Sequence, residues 1–235
     1  MADGDQTAAE ARAERRRHVE SWKEAPRYRS WVGPPLKYDS NAAMQFNVLT
    51  SLGLREDHFL LDIGCGSLRA GRLFIPYLRP QRYFGIERER WLVEEGIEHE
   101  LGRDAVRIKR PTFSHNEDWR LSVFDRDFDF MVAQSIFTHT AISQMRVIMS
   151  EAKKVLKEDG TMAATYIPDD SNYEGEEWAE RAAYQPEFMA SLAQEAGLEI
   201  ADLGWPHPNV RQSWLIFRHE GAAELARSIT PPARA

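Results

Sequence analysis

From residue 39 onward the apolar positions switch between two spacings, and the switching predicts the elements. Asp39 or Ser40 is suited to cap a helix in which Met44, Val48 and Leu52 recur every four residues, with Gly53 as its stop. His58 to Ile63 then reads as a buried strand, Leu68 to Leu78 as a helix bent or started late by Pro76, and Tyr83 to Glu87 as a second strand. Trp91 to Leu101 has helical spacing, Ala105 to Lys109 reads as a short third strand, and Phe128 to Ala133 as a fourth, rich in Phe and Val. Ile142, Met145, Ile148, Met149, Ala152, Val155 and Leu156 follow the three-and-four spacing of a helix buried on one face. Glu158-Asp159-Gly160 supplies a turn, Thr161 to Ile167 a fifth strand, Pro186 the start of a helix that Gly197 ends, Leu198 to Leu203 a sixth strand and Ser213 to Arg218 a seventh.

Strands separated by helices pair in parallel through right-handed crossovers, which predicts a doubly wound, Rossmann-like α/β sheet of seven strands with helices on both faces. Only Gly204 to Gln212 joins the last two strands, too short for a helical crossover, so the seventh strand is expected to run antiparallel. The expected organisation is an N-terminal helix and aromatic-rich cap over residues 1–40, a catalytic domain over 41–220 and a loose tail over 221–235. In the first part, Ala8 to Lys23 has helical composition with Arg15-Arg16-Arg17-His18 on its solvated face, and Pro26 stops it. Arg27 to Lys37, with Tyr28, Trp31, Gly33, Pro34 and Pro35, reads as an extended segment that packs rings or forms a lid.

With 235 residues and 43% hydrophobic content, the chain is long enough for one well-buried core, which excludes disordered and fibrous classes. A formal charge of −7 offers no global positive field for a phosphate backbone, so nucleic acid is not the expected partner. Cys65, the single cysteine, cannot build an internal disulfide or a multi-thiolate metal site, and one reduced thiol suits the cytoplasm. Neither a signal-peptide core nor a run long enough to span a bilayer is present, so no membrane role is expected.

Ligands of an open parallel sheet bind beyond the carboxyl ends of the strands. After the first strand comes Asp62-Ile63-Gly64-Cys65-Gly66-Ser67, whose glycines let a ligand approach the backbone. After the second comes Glu87, twenty-five residues past Asp62, where a carboxylate accepts from a ribose diol. The dinucleotide fingerprint G-x-G-x-x-G fails, because Arg69 occupies the third glycine position, and no G-x-x-x-x-G-K-[ST] loop occurs.

Leu61-Asp62-Ile63-Gly64-Cys65-Gly66 resembles the first motif of the class I S-adenosylmethionine-dependent methyltransferases, although Leu68 replaces a third glycine often found there. Phe128-Asp129-Phe130 through Ser135-Ile136-Phe137-Thr138-His139 resembles that family's fourth strand and following loop, and Leu156-Lys157-Glu158-Asp159-Gly160 resembles the turn before its fifth. The resemblance spans roughly Asp57 to His219. It implies S-adenosylmethionine as cofactor, S-adenosylhomocysteine as product, and a cofactor site drawn from Asp62, Gly64, Cys65, Gly66, Ser67, Glu87, Gln134 and Ser135. It places the acid that contacts adenine near Asp118, with Trp119 beside it and Asn116 as an equal candidate. No Asn-Pro-Pro-Tyr or Asp-Pro-Pro-Tyr follows the fourth strand, which counts against methylation of nucleic-acid bases.

Methyl transfer of this kind depends chiefly on alignment, and a base is needed only for an acceptor that arrives protonated. His139 is the first candidate for that base, since imidazole is the side chain that titrates near neutral pH. It or Thr138 is also suited to cap the helix starting near Ala141. Trp31, Tyr38, Phe137, Tyr166 and His207 are the candidate contacts to a small-molecule acceptor. For His207 the alternative is a rigid proline turn between Trp205-Pro206 and Pro208, and for the N-terminal rings it is ordinary packing. His115 is a third candidate, nearer the expected adenine than the methyl. Cys65 favours packing over reactivity. Asp169 and Asp170 lack further acids for a hard cation, so no metal is expected, and the long acidic stretch Asp169 to Tyr184 has the character of a substrate lid. The expected function is methylation of an O or N atom of a small or medium-sized metabolite. The rivals are an NAD(P)-dependent oxidoreductase and a non-catalytic S-adenosylmethionine-binding relative.

Overall fold

The computed structural model describes residues 20–209 and 211–222. Strands β1 (Leu60–Ile63), β2 (Tyr83–Ile86), β3 (Thr112–Ser114), β4 (Phe128–Ala133), β5 (Leu156–Tyr166), β6 (Leu198–Asp202) and β7 (Ser213–His219) form one sheet in the order β3-β2-β1-β4-β5-β7-β6. All neighbours are parallel except β7, which runs antiparallel to both β5 and β6. The order reverses between β1 and β4, and this switch point opens a crevice at the carboxyl ends of the strands.

The helices are α1 (Arg27–Trp31), α2 (Tyr38–Ser51), α3 (Gly71–Tyr77), α4 (Arg90–Gly96), α5 (Arg103–Lys109), α6 (Ile142–Val155) and α7 (Pro186–Glu195). Successive residues of each central strand divide between two cores, as a period of two requires. Leu61, Ile63, Met131 and Ala133 pack with Met145, Ile148 and Met149 of α6 and Leu192 of α7. Leu60, Phe130 and Val132 pack on the opposite face with Val48 and Leu49 of α2 and Phe74 of α3. Among the described residues no helix is long and apolar enough to cross a membrane.

Three local expectations are corrected. Residues 105–109 belong to helix α5, because Gly102 at φ +88° and Arg110 at φ +50° bracket one short helix, and Ile108 is exposed rather than buried. The third strand follows at Thr112–Ser114, after Pro111. The helix expected from Leu68 starts only at Gly71, since Leu68 has φ +58° and still belongs to the turn. Segment 27–37 is α1 and a short 3-10 turn (Pro35–Lys37), not extended chain. The N-terminal stretch Ala8 to Lys23, apart from helical residues 20–23, and the tail beyond 222 lie outside the described residues.

The N-terminal segment is fastened by one buried carboxylate. Glu100 accepts from Tyr28 Oη at 2.9 Å and from Arg29 Nε at 2.6 Å, and pairs with Arg72 Nη1 at 3.3 Å, while Arg72 also reaches Asp39. Arg27 covers the Trp91 ring at 4.6 Å, and Trp31 meets Trp91 edge-on. Glu100→Gln turns an acceptor toward these cations into an amide that carries hydrogens of its own. It is expected to cost about 2 kcal/mol of stability and to speed tryptic cleavage at Arg27 and Arg29, measured by thermal unfolding and limited proteolysis.

Candidate active site

The turn after β1 is built by its backbone. Gly64 N–H and Cys65 N–H both donate to the Ile86 carbonyl, at 2.8 and 3.0 Å, which locks the turn against the end of β2. Gly64 and Gly66 have φ of +74° and +54°, and a Cβ at either would press within 2.2 Å of Ile136 Cδ1 or 2.7 Å of Val32 Cγ1. Only glycine permits this close cover from both sides. Cys65 points inward beside Gly85, and burial pushes its thiol well up, so it packs and does not react.

Glu87 closes the other side of the turn. Its Oε2 accepts from Gly66 N–H and its Oε1 from Glu89 N–H, each at 3.0 Å. Burial raises its pKa, while those two backbone donors oppose the rise. Asp62 lies in the strand below and accepts from Tyr83 Oη at 2.8 Å. Burial lifts it from 3.8 to about 7, with the Tyr83 hydroxyl and Arg69 pulling the other way. Because the folded value lies above the unfolded one, its contribution to stability is complete below pH 4 and is lost as pH rises through 7. Asp62→Asn keeps the acceptor for Tyr83 and cannot ionise. The ligand-free variant is therefore expected to match the parent near pH 4 and to exceed it by up to about 4 kcal/mol above pH 7, read from melting temperatures across that range.

A buried polar network runs from the turn to the far loops. Arg69 donates to Val32 O at 2.7 Å and to Gln134 Oε1, which also accepts from Gln45 Nε2 at 3.3 Å. Burial lowers Arg69 to about 10, which leaves it charged at neutral pH. With Gln134 Oε1 so occupied, its amide hydrogens face Ser135 Oγ at 2.6 Å and His207 Nε2 at 3.4 Å. Asn209 N–H donates to His207 Nδ1 at 2.9 Å, so that nitrogen holds a lone pair and the 207–209 turn orients the ring. Burial, with Arg69 and Lys37 nearby, lowers His207 to about 4, so the ring is neutral at physiological pH. Ser135 is held at φ +60° by its N–H donating to Thr165 Oγ1 and by its hydroxyl bonding to Gln212.

His139 stands on the far wall. Its Nδ1 lies 2.9 Å from the Ala179 carbonyl, which has no proton to give, so Nδ1 carries the hydrogen and Nε2 is the basic atom. Its ring stacks on Trp178 at 5.2 Å, and Trp178 stacks on Trp119 at 6.1 Å. The 169–184 loop that carries Trp178 is tied to this strand end by Ala179 N–H to His139 O and Ala182 N–H to Thr138 O. It is a pinned wall where the sequence suggested a lid. Asp169 caps Asp170 N–H and faces Arg181.

These elements enclose a cleft of about 1320 Å³ above the switch point. Gly64, Gly66, Glu87, Asn116, Trp119, Gln134, Ser135, His139, His207 and Trp31 all line it. Asp62 and Cys65 border a smaller adjoining cavity of about 20 Å³, enough for one water. Five expected contacts, and the third histidine candidate, fall elsewhere. Asp118 is exposed and accepts from Arg120 N–H. Ser67 and Tyr38 bond to each other behind the turn, and burial pushes Tyr38 up to about 12. Phe137 is in the core against Phe217, and Tyr166 is buried in β5. His115 bonds to the Glu87 carbonyl through Nδ1. The sequence reading missed Gln45, Arg69, Asn41 and Gln212 as parts of the site. Only Arg69, noted as the breaker of a glycine fingerprint, gave a signal.

No family model matches the chain. Solved structures share its fold at low identity. An S-adenosylmethionine-dependent methyltransferase from Clostridium acetobutylicum ATCC 824 superposes with a TM-score of 0.58 at 14% identity, over 78% of this chain and 92% of that one. Magnesium protoporphyrin IX methyltransferase from Synechocystis PCC 6803, solved with bound S-adenosylmethionine, gives 0.60 at 13%, over 79% and 81%. The CcbJ methyltransferase from Streptomyces caelestis gives 0.59 at 14%, over 86% and 95%. The chain therefore has the fold of the class I S-adenosylmethionine-dependent methyltransferases, with the antiparallel seventh strand that its loop lengths predicted.

Proposed function

We propose that this protein binds S-adenosylmethionine in the cleft and methylates an O or N atom of a small or medium-sized metabolite. One observation carries the reading. Asn41 Oδ1, Arg69 Nε, Asn116 Oδ1 and Thr138 Oγ1 are buried polar atoms without partners, and all four belong to residues lining this one cleft. Buried polar groups in proteins are normally hydrogen-bonded, and four of the seven unpartnered ones among the described residues gather at this cleft, which supports a ligand with several polar atoms.

The residues fit an adenosyl ligand. Glu87 offers a carboxylate at the tip of β2 for a ribose diol, and Asn116 and Trp119 offer an amide and a ring face for adenine. Gly64, Gly66, Gln134 and Arg69 offer close backbone approach and polar groups at the methionine end. When bound, the cofactor supplies a sulfonium methyl: the acceptor atom bonds to the methyl carbon, the carbon–sulfur bond breaks with its pair on sulfur, and S-adenosylhomocysteine leaves. His139, anchored through Nδ1, holds Nε2 free to take the proton of an acceptor hydroxyl or ammonium. The cleft volume exceeds that of an ordinary single-ligand pocket, which suits cofactor and acceptor side by side.

The test is calorimetric titration of ligand-stripped protein with S-adenosylhomocysteine and, separately, with NAD. Binding of the first at micromolar level with no heat from NAD is the expected result. Binding of NAD alone would overturn the reading in favour of an oxidoreductase.

A further inference from the structure

The two halves of the cleft differ in charge. Over β1 and β2 the charged liners are Glu87, Arg88, Glu89, Glu117 and Arg69, the last committed to Val32 O and Gln134 at the methionine end, whereas over β4, β5 and β7 they are Lys37, Glu180, Arg181 and Arg211. Arg181 is matched within the protein by Asp169 at 3.7 Å. Lys37 gives one hydrogen to the Pro208 carbonyl at 2.6 Å and keeps two donors, and neither it nor Arg211 has a carboxylate partner among the described residues. Glu180 is the one carboxylate among these liners. Counted against Glu180, and with Arg69 set apart at the methionine end, Lys37 and Arg211 leave a single net positive charge at this end of the cleft, in a chain whose formal charge is −7. The buried ring of His207, held neutral next to this end, registers the same field: Lys37 and Arg69 both disfavour its protonation, after burial itself. The same cleft is lined by the half-exposed ring of Trp178, on which His139 stacks at 5.2 Å within 14° of parallel.

Resting on the methyltransferase reading above, we propose that the acceptor is a planar monocarboxylate, its carboxylate held by Lys37 and Arg211 and its ring laid against Trp178, with a hydroxyl or amino group turned toward His139. One net positive charge matches a carboxylate, whereas a phosphate dianion would leave a charge unmatched. A planar body gains most from an aromatic wall.

The test uses hydroxybenzoic, hydroxycinnamic and aminobenzoic acids, each paired with its primary amide, which keeps the shape and removes the charge. Methyl transfer from labelled S-adenosylmethionine is measured for each pair, and thermal shift is measured in saturating S-adenosylhomocysteine. The expected result is that at least one acid is methylated or bound about tenfold better than its amide, and that Arg211→Gln removes that preference while leaving S-adenosylhomocysteine affinity unchanged. Amides that serve as well as acids, or a preference that survives in both Arg211→Gln and Lys37→Gln, overturn the proposal. So does a panel without any acid bound or methylated by protein that binds S-adenosylhomocysteine. Loss of S-adenosylhomocysteine binding by the parent protein is a different failure, since it removes the cofactor reading and this proposal with it.

Discussion

Replacing Glu87 with Ala is expected to weaken S-adenosylhomocysteine binding by about 100-fold, or roughly 3 kcal/mol. Hydrogen bonds to a charged group contribute roughly 1.5–3 kcal/mol each, and in the proposed complex two ribose hydroxyls would reach this one carboxylate, while water filling the space returns part of the loss. The substitution also strips acceptors from Gly66 N–H and Glu89 N–H, so the turn that faces the methionine end loosens with it. Glu87→Gln is not a conservative control. Its amide nitrogen would have to face one of those two backbone donors, and the variant is expected to lose nearly as much. Calorimetry at constant pH checks both, and an unchanged affinity in Glu87→Ala would sink the ribose assignment.

The second large effect is expected at His139. His139→Ala removes the basic Nε2 and is expected to lower kcat by a factor on the order of 100 to 10,000, with S-adenosylhomocysteine affinity within about twofold of the parent. His139→Asn separates chemistry from packing. Its side-chain amide can still donate to the Ala179 carbonyl that holds the 169–184 loop, but it offers no base. Both variants should be slow, and millimolar imidazole should partly restore His139→Ala alone. A fall of less than about threefold in both would reduce His139 to a pin for the loop.

What the sequence allowed and what it hid follow from the range of the interactions involved. The turn at Gly64 and Gly66 and the carboxylate at Glu87 were legible because strand ends and tight turns are local: spacing alone carries them to neighbouring strands. His139 was legible for the same reason, one loop beyond β4. The antiparallel β7 followed from a connection too short to cross over. Tyr38 and Phe137 were misassigned because an aromatic near a site looks the same in sequence whether it faces ligand or core, and here Ser67 and Phe217 claim them. The polar network stayed hidden because its members converge only in space: Gln134 meets Gln45 across 89 residues and His207 across 73. The helix at 103–109 was misread because its apolar residues are on the surface, where periodicity says nothing about a core.

The bond between Lys37 and the Pro208 carbonyl joins residues 171 apart in the chain. During synthesis Lys37 is made well before its partner, and at roughly 5–20 residues per second this second anchor of the N-terminal segment follows about 10–35 s later. Through that interval Glu100 and Arg69 can already hold the segment at Tyr28, Arg29 and Val32, while the turn at 207–209 that meets Lys37 is still missing. The cleft is thus closed on this side only once the loop before β7 has been made, and a nascent chain halted short of residue 208 carries the glycine turn without the wall that His207 and the anchored Lys37 complete.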